Sequence, residues 1–147
     1  MAVIPSYSGG EPLTVLAPAG TAFEGVTVLE QPSPGDAPAG VTFPYGFLKF
    51  RLTGLAPGAT VNLQVIVPES RGITGYHKFG ATAGNPTKHY YNFASDGETG
   101  SQVTGTIINL RLVDGGRGDD DGLANGVIVD PGAPSVDTSS VSDWSTY

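Results

Sequence analysis

Val41-Thr-Phe-Pro-Tyr-Gly-Phe-Leu-Lys-Phe-Arg-Leu-Thr53 and the run that follows it, Thr60-Val-Asn-Leu-Gln-Val-Ile-Val67, decide the fold class. Leu48, Phe50 and Leu52 alternate with Lys49 and Arg51, the period of a half-buried strand. Val61, Leu63, Val65 and Val67 alternate with Asn62 and Gln64 in the same way. Between the two runs lies Leu55-Ala-Pro-Gly-Ala-Thr60, whose Pro57-Gly58 suits the centre of a type II turn. Two alternating runs across a short turn predict an antiparallel pair.

Working outward, the same period recurs on both sides. Leu13-Thr-Val-Leu16 and Thr21-Ala-Phe-Glu-Gly-Val-Thr-Val-Leu29 read as strands. Gln31 to Gly40 holds three prolines and is a loop. Ile73-Thr-Gly-Tyr-His-Lys-Phe79 and Lys88-His-Tyr-Tyr-Asn-Phe93 are aromatic β runs, and Val103 to Leu112 reads as one further strand. Gly126-Val-Ile-Val-Asp130 is a last short one. No 3.6-residue apolar period persists anywhere. Seven to eight short strands predict an all-β protein, an antiparallel β-sandwich of Ig-like or jelly-roll-like kind. Its expected extent is 13–134, after an extended segment 1–12 and before a polar tail 135–147.

Composition narrows the function classes. Glycine and proline make up 34 of 147 residues (22 and 12), but they cluster between apolar runs, as turn punctuation does. The net charge is −7, and seven basic residues scattered singly leave no footprint for nucleic acid. No apolar run is long enough for membrane insertion as a helix. Without cysteine there are neither disulfides nor thiolate metal sites. Met1-Ala-Val-Ile-Pro5 lacks the charged and apolar regions of a signal peptide.

The conspicuous chemistry is in Asp114-Gly-Gly-Arg-Gly-Asp-Asp-Asp-Gly-Leu-Ala-Asn-Gly-Val-Ile-Val-Asp130. Adjacent carboxylates repel, and glycines let a backbone fold round an ion, so the stretch predicts calcium. Asp114, Asp119, Asp120, Asp121, Asn125 and Asp130 are the expected ligands, with Asp96 and Glu98 as a second site. The spacing is not that of an EF-hand: setting Gly122 at the invariant glycine puts Arg117 and Ile128 at ligand positions. The competing reading is a solvated loop in which Asp and Gly serve turn chemistry, with Arg117 pairing one of the acids. Arg117-Gly-Asp119 spells an integrin-binding tripeptide, which is common by chance in such loops. His77 and His89 lack a third zinc ligand. Tyr76, Phe79, Tyr90, Tyr91 and Phe93 fit a sandwich core better than a sugar platform. No nucleophile elbow, phosphate loop or two-histidine zinc motif is present, so no enzyme is expected.

Val41 to Val61 and Leu112 to Gly132, with His77-Lys-Phe-Gly80, Asn85-Pro-Thr87 and Tyr91 between them, resemble the bacterial choice-of-anchor U domain. The resemblance covers roughly residues 22–134. It implies a β module of exported and cell-surface proteins, extracellular and without known catalysis. After Pro134 the chain departs from the pattern, with no sorting motif, apolar span or basic tail.

Three roles follow as expectations. The first is a calcium-stabilised structural module beside neighbouring domains of a larger surface protein. The second is a self-assembling filament subunit, in which Val3 and Ile4, or Val136, Val141, Trp144 and Tyr147, add to a neighbouring copy's sheet edge. The third is a glycan-binding or adhesin module, which needs Tyr76, Tyr90, Tyr91 and Trp144 exposed on one face.

Overall fold

The computed structural model describes residues 2–4, 13–29, 32, 34–69, 71–82 and 84–137. Eleven strands follow in order: β1 (Ala2–Ile4), β2 (Leu13–Leu16), β3 (Ala22–Leu29), β4 (Val41–Thr42), β5 (Phe47–Thr53), β6 (Thr60–Ile66), β7 (Gly75–Thr82), β8 (Asn85–Asn92), β9 (Gly100–Thr104), β10 (Ile107–Val113) and β11 (Ile128–Asp137). They form two sheets, and all the pairings between these strands are antiparallel. One has the order β1-β2-β6-β10-β9; the other has β3-β5-β11-β7-β8, with β4 on the far end of β11. The only helical element among the described residues is a 3-10 turn, Pro34–Asp36.

One core joins the sheets. Leu13, Val15, Val61, Leu63, Val65, Ile108, Leu110 and Leu112 come from the first; Leu48, Phe50, Leu52, Tyr76 and Ile128 come from the second. Each such side chain, fully withdrawn from water, contributes about 2 kcal/mol. The alternation in β5 and β6 is thus the alternation of a sandwich: Lys49, Arg51 and Asn62 face out. The outer face of the second sheet carries a smaller aromatic layer. There Phe43 packs on Phe47, His77 and Tyr90, and the Tyr90 hydroxyl donates to the Pro32 carbonyl.

Four expectations change. β5 and β6 are not a hairpin: β5 pairs with β3 and β11, and β6 with β2 and β10. The turn between them carries the chain from one sheet to the other, since a period-two pattern fits an arch across the core as well as a hairpin. Val103 to Leu112 is not one strand but the β9–β10 hairpin, with Thr104 opposite Ile107. Gly105 has φ +61°, as the first central residue of a II′ turn requires.

The last strand runs through Pro131 and Pro134 to Asp137, past the expected boundary at 134. β11 pairs with β5 over 128–132, with β7 over 132–135 and with β4 at 136–137. Pro131 therefore lies where β11 pairs with β5, and Pro134 where it pairs with β7. Each proline has one side without a ladder, where its missing N–H costs nothing. Finally, Ala2–Ile4 is part of a sheet instead of an extended lead-in, with Val3 opposite Thr14. No helix among the described residues is long and apolar enough to cross a membrane.

Candidate functional site

The loop from Asp114 to Val127 leaves β10 and docks on β11 and on the β5–β6 turn. Asp114 N–H donates to the Ala59 carbonyl at 2.9 Å, Leu55 N–H to Gly126 at 3.3 Å, and Asp120 N–H to Val129 at 3.0 Å. Its carboxylates continue this pattern. Asp114 is buried, and its Oδ2 accepts from the backbone N–H groups of Gly58 (3.1 Å) and Gly126 (2.6 Å). One side chain thereby fastens the sheet-crossing turn to the end of the loop. Asp119 Oδ2 accepts from Gly115 N–H at 2.9 Å, and its Oδ1 from Val129 N–H at 3.1 Å. Asp121 accepts from Leu123 N–H at 2.8 Å and from the Asn125 side-chain amide at 3.2 Å, while Asn125 Oδ1 accepts from Val127 N–H at 3.1 Å. Asp120 Oδ2 lies 3.5 Å from Lys88 Nζ. Gly118, at φ +97°, lets the turn close over Phe93 and Leu112, where any Cβ would strike the Phe93 ring.

The six expected calcium ligands therefore do not converge on one point. Asp121, Asn125 and one oxygen of Asp119 are taken up by donors within four residues, the chemistry that makes Asp and Asn turn residues; Asp114 and the other Asp119 oxygen accept from N–H groups of more distant segments. Among the described residues no three His, Asp or Glu side chains come together as a metal site. Among the described residues, Asp114 Oδ1 and Asp120 Oδ1 are buried side-chain oxygens without a hydrogen-bond partner. Asp119 is buried enough that its carboxyl is pushed up to about 6, against the pull of its two N–H donors and with the charge of Asp121 adding to the rise.

The second expected site resolves likewise. Asp96 Oδ1 accepts from Glu98 N–H (2.9 Å) and Thr99 N–H (2.7 Å), and these bonds hold its carboxyl below the usual range. Glu98 is exposed in the same turn. Arg117 pairs with Asp96 at 3.6 Å, not with a loop acid. Its guanidinium also donates to the Asn92 carbonyl and stacks 4.7 Å above Phe93. That engagement removes the free arginine an Arg-Gly-Asp ligand needs.

Asp130, the sixth expected ligand, sits in the dry core. Lys78 Nζ contacts its Oδ1, and both side chains are fully buried. Tyr76 Oη donates to Asp130 Oδ2 at 3.1 Å. Tyr76 and Lys78 are two apart on β7, so they share the inward face. Gly132 lies beneath the Tyr76 ring, where any Cβ would collide with it. Phe93 closes the site, its ring centroid 5.1 Å from Nζ. Burial pushes the Lys78 amine down to about 7; the charges of Asp119 and Asp120 oppose that fall, and Arg117 adds to it. Burial also raises the Tyr76 hydroxyl, so it stays a donor.

Beside the loop a cleft of about 750 Å³ is lined by His89, Tyr91, Arg117, Asp119, Asp120 and Asp121, among others. Among the described residues, the three tyrosines of the expected sugar platform do not share an exposed face. Tyr76 is buried in the core, Tyr91 packs against it, and Tyr90 lies in the outer aromatic layer. His77 pairs with Ser135 at 2.8 Å, and burial pulls it below its ordinary value. His89 bonds to Thr82 and Thr87. Of the expected inter-subunit residues, Val136 is in β11 opposite Thr42 and packs against the core, and the backbones of Val3 and Ile4 pair with β2 of the same chain. Val141, Trp144 and Tyr147 lie outside the described residues.

Reading the residues for acid clusters passed over Lys78 and its partnership with Asp130. The signal was parity: in β7 and β11 a charge stands at a position that the strand period turns inward. Such a charge demands a partner.

The chain matches no known family model, no curated protein and no solved structure. The likeness to choice-of-anchor U modules thus rests on the quoted residues.

Proposed function

We propose that this chain is a non-enzymatic structural module of an exported or cell-surface protein, set beside neighbouring domains and stable without a metal ion. One observation carries the reading: each carboxylate of the conspicuous loop has a partner inside the chain, and Asp114 and Asp119 use theirs to fasten loop, crossing turn and β11 together. Those four bonds spend carboxylate oxygens on the loop's own attachment to the sheets. The resemblance to choice-of-anchor U domains supports the extracellular placement.

A second reading, self-assembly, is favoured by one feature. β1 is three residues long and pairs with β2 at the rim of its sheet. The same pairs made by a neighbouring copy would give strand exchange.

Light scattering over a wide concentration range, with a glycan-array screen, tests these readings. The structural-module reading expects a monomer at all concentrations and no glycan retained. Retention of a defined glycan contradicts it. A polymer that disappears when residues 1–4 are deleted transfers the assignment to self-assembly.

A further inference from the structure

The Lys78–Asp130 pair is unlike every other ion pair described in the protein. Each of the others has at least one exposed partner; this one has no solvent at either end. An ammonium and a carboxylate stripped of water are costly, and their attraction seldom repays the desolvation. In direct contact and in a medium of low polarity, transfer of one proton turns them into an amine and a carboxylic acid. Those are the two halves of an amide.

We propose that Lys78 and Asp130 condense into an intramolecular amide that covalently joins β7 to β11. Lys78 Nζ attacks Asp130 Cγ. The Nζ–Cγ bond forms and the Cγ–Oδ1 bond breaks. A proton from the amine passes to Oδ1, which leaves as water. Nothing is oxidised or reduced, and no co-reactant is needed. Oδ2 stays as the amide carbonyl oxygen. Tyr76 Oη already donates to it at 3.1 Å, and the same bond stabilises the negative charge that Oδ2 carries in the tetrahedral intermediate. Asp120 supplies a buried acceptor on the same side of the sheet: its unpartnered Oδ1 lies over Gly80, two residues along β7 from Lys78.

Three features favour the forward reaction. The reacting groups are held by adjacent strands, Lys78 directly opposite Gly132 and so two residues from Asp130. Groups held this way react at effective concentrations on the order of 10⁵ M or more. Tyr76, Phe93 and the core exclude the water that would reverse the step. The product replaces two buried charges with one neutral group. The crosslink would span 52 residues and lie in β11, which has a strand on either side. It goes beyond the structural reading and does not depend on it: a crosslink is equally compatible with a binding module.

The test is intact-mass spectrometry of the folded, purified protein under denaturing conditions, followed by tryptic mapping. The proposal expects a mass lower than that of the sequence by one water, allowing for the initiator methionine. It expects a branched peptide in which residues 72–88, uncut at Lys78, carry residues 118–147. Lys78→Ala and Asp130→Ala should each restore the full mass. Asp130→Asn should close the same bond with loss of ammonia instead of water. The full sequence mass in folded wild-type protein overturns the proposal. So does a water loss that maps to Asp96-Gly97, Asp114-Gly115 or Asp121-Gly122, because Asp-Gly pairs lose water as succinimides.

Discussion

Asp114 and Asp130 are both buried aspartates of the same acidic stretch, and they are held in opposite ways. Asp114 Oδ2 faces two backbone N–H groups, from Gly58 and Gly126. Asp130 faces an ammonium and a phenol, both of them side chains of β7. The first arrangement satisfies a carboxylate oxygen with backbone N–H groups from two other segments, 56 and 12 residues away along the chain. The second needs a lysine brought from 52 residues away into a core with no water. A dense run of acids is therefore the ordinary part of this molecule, and a lone lysine in an aromatic strand is the unusual part.

The largest effect expected is at the buried pair. Lys78→Met leaves Asp130 buried without its partner and also removes any amide between them, so it should lower unfolding stability by at least about 3–5 kcal/mol, read by urea titration. A loss under 1 kcal/mol would mean that Asp130 reaches water and that the two regions are alike. Asp114→Ala comes next. It strands two N–H donors, so about 2–3 kcal/mol should be lost, with no dependence on calcium.

Asp119 sharpens the comparison through pH. Its carboxyl is raised to about 6 in the fold by burial, so the fold favours its protonated form. Its contribution is fully present below the ordinary value of 3.8 and is lost as the pH rises through about 6. Urea midpoints measured across that window should fall with rising pH by an increment that Asp119→Asn removes. An identical slope in the variant would assign the effect to another group. The smallest effect belongs to Asp121, whose bonds to Leu123 and Asn125 stay within its own turn. Asp121→Ala should shift the midpoint by no more than about 1 kcal/mol.

How much of this was legible in the residues differs from strand to strand. Leu48, Phe50 and Leu52 in β5, and Val61, Leu63 and Val65 in β6, announce half-buried strands and an all-β fold, and the core is built from them. Their pattern carries no information on which strand pairs with which, so an arch between sheets looks like a hairpin. Gly105 marks a turn inside Val103 to Leu112, but the strong period of Ile108, Leu110 and Leu112 invites extending one strand back across it. Pro131 and Pro134 read as the end of the sheet because a change of strand partner along β11 leaves no trace in composition.

The candidate site shows the same limit. The acids of 114–130 are plain in the sequence. Whether their oxygens meet an ion or an N–H depends on backbone directions that one-dimensional spacing does not contain. Lys78 and Asp130 each break the apolar parity of a strand, and only their juxtaposition gives that break a meaning.

The measurement that bears most directly on the account is a thermal melt of the intact protein in excess calcium and in chelator. The loop is held by its own N–H donors, so the two curves should superimpose. A rise of many degrees with calcium, abolished in Asp119→Ala, would contradict the account and restore the loop as a metal site.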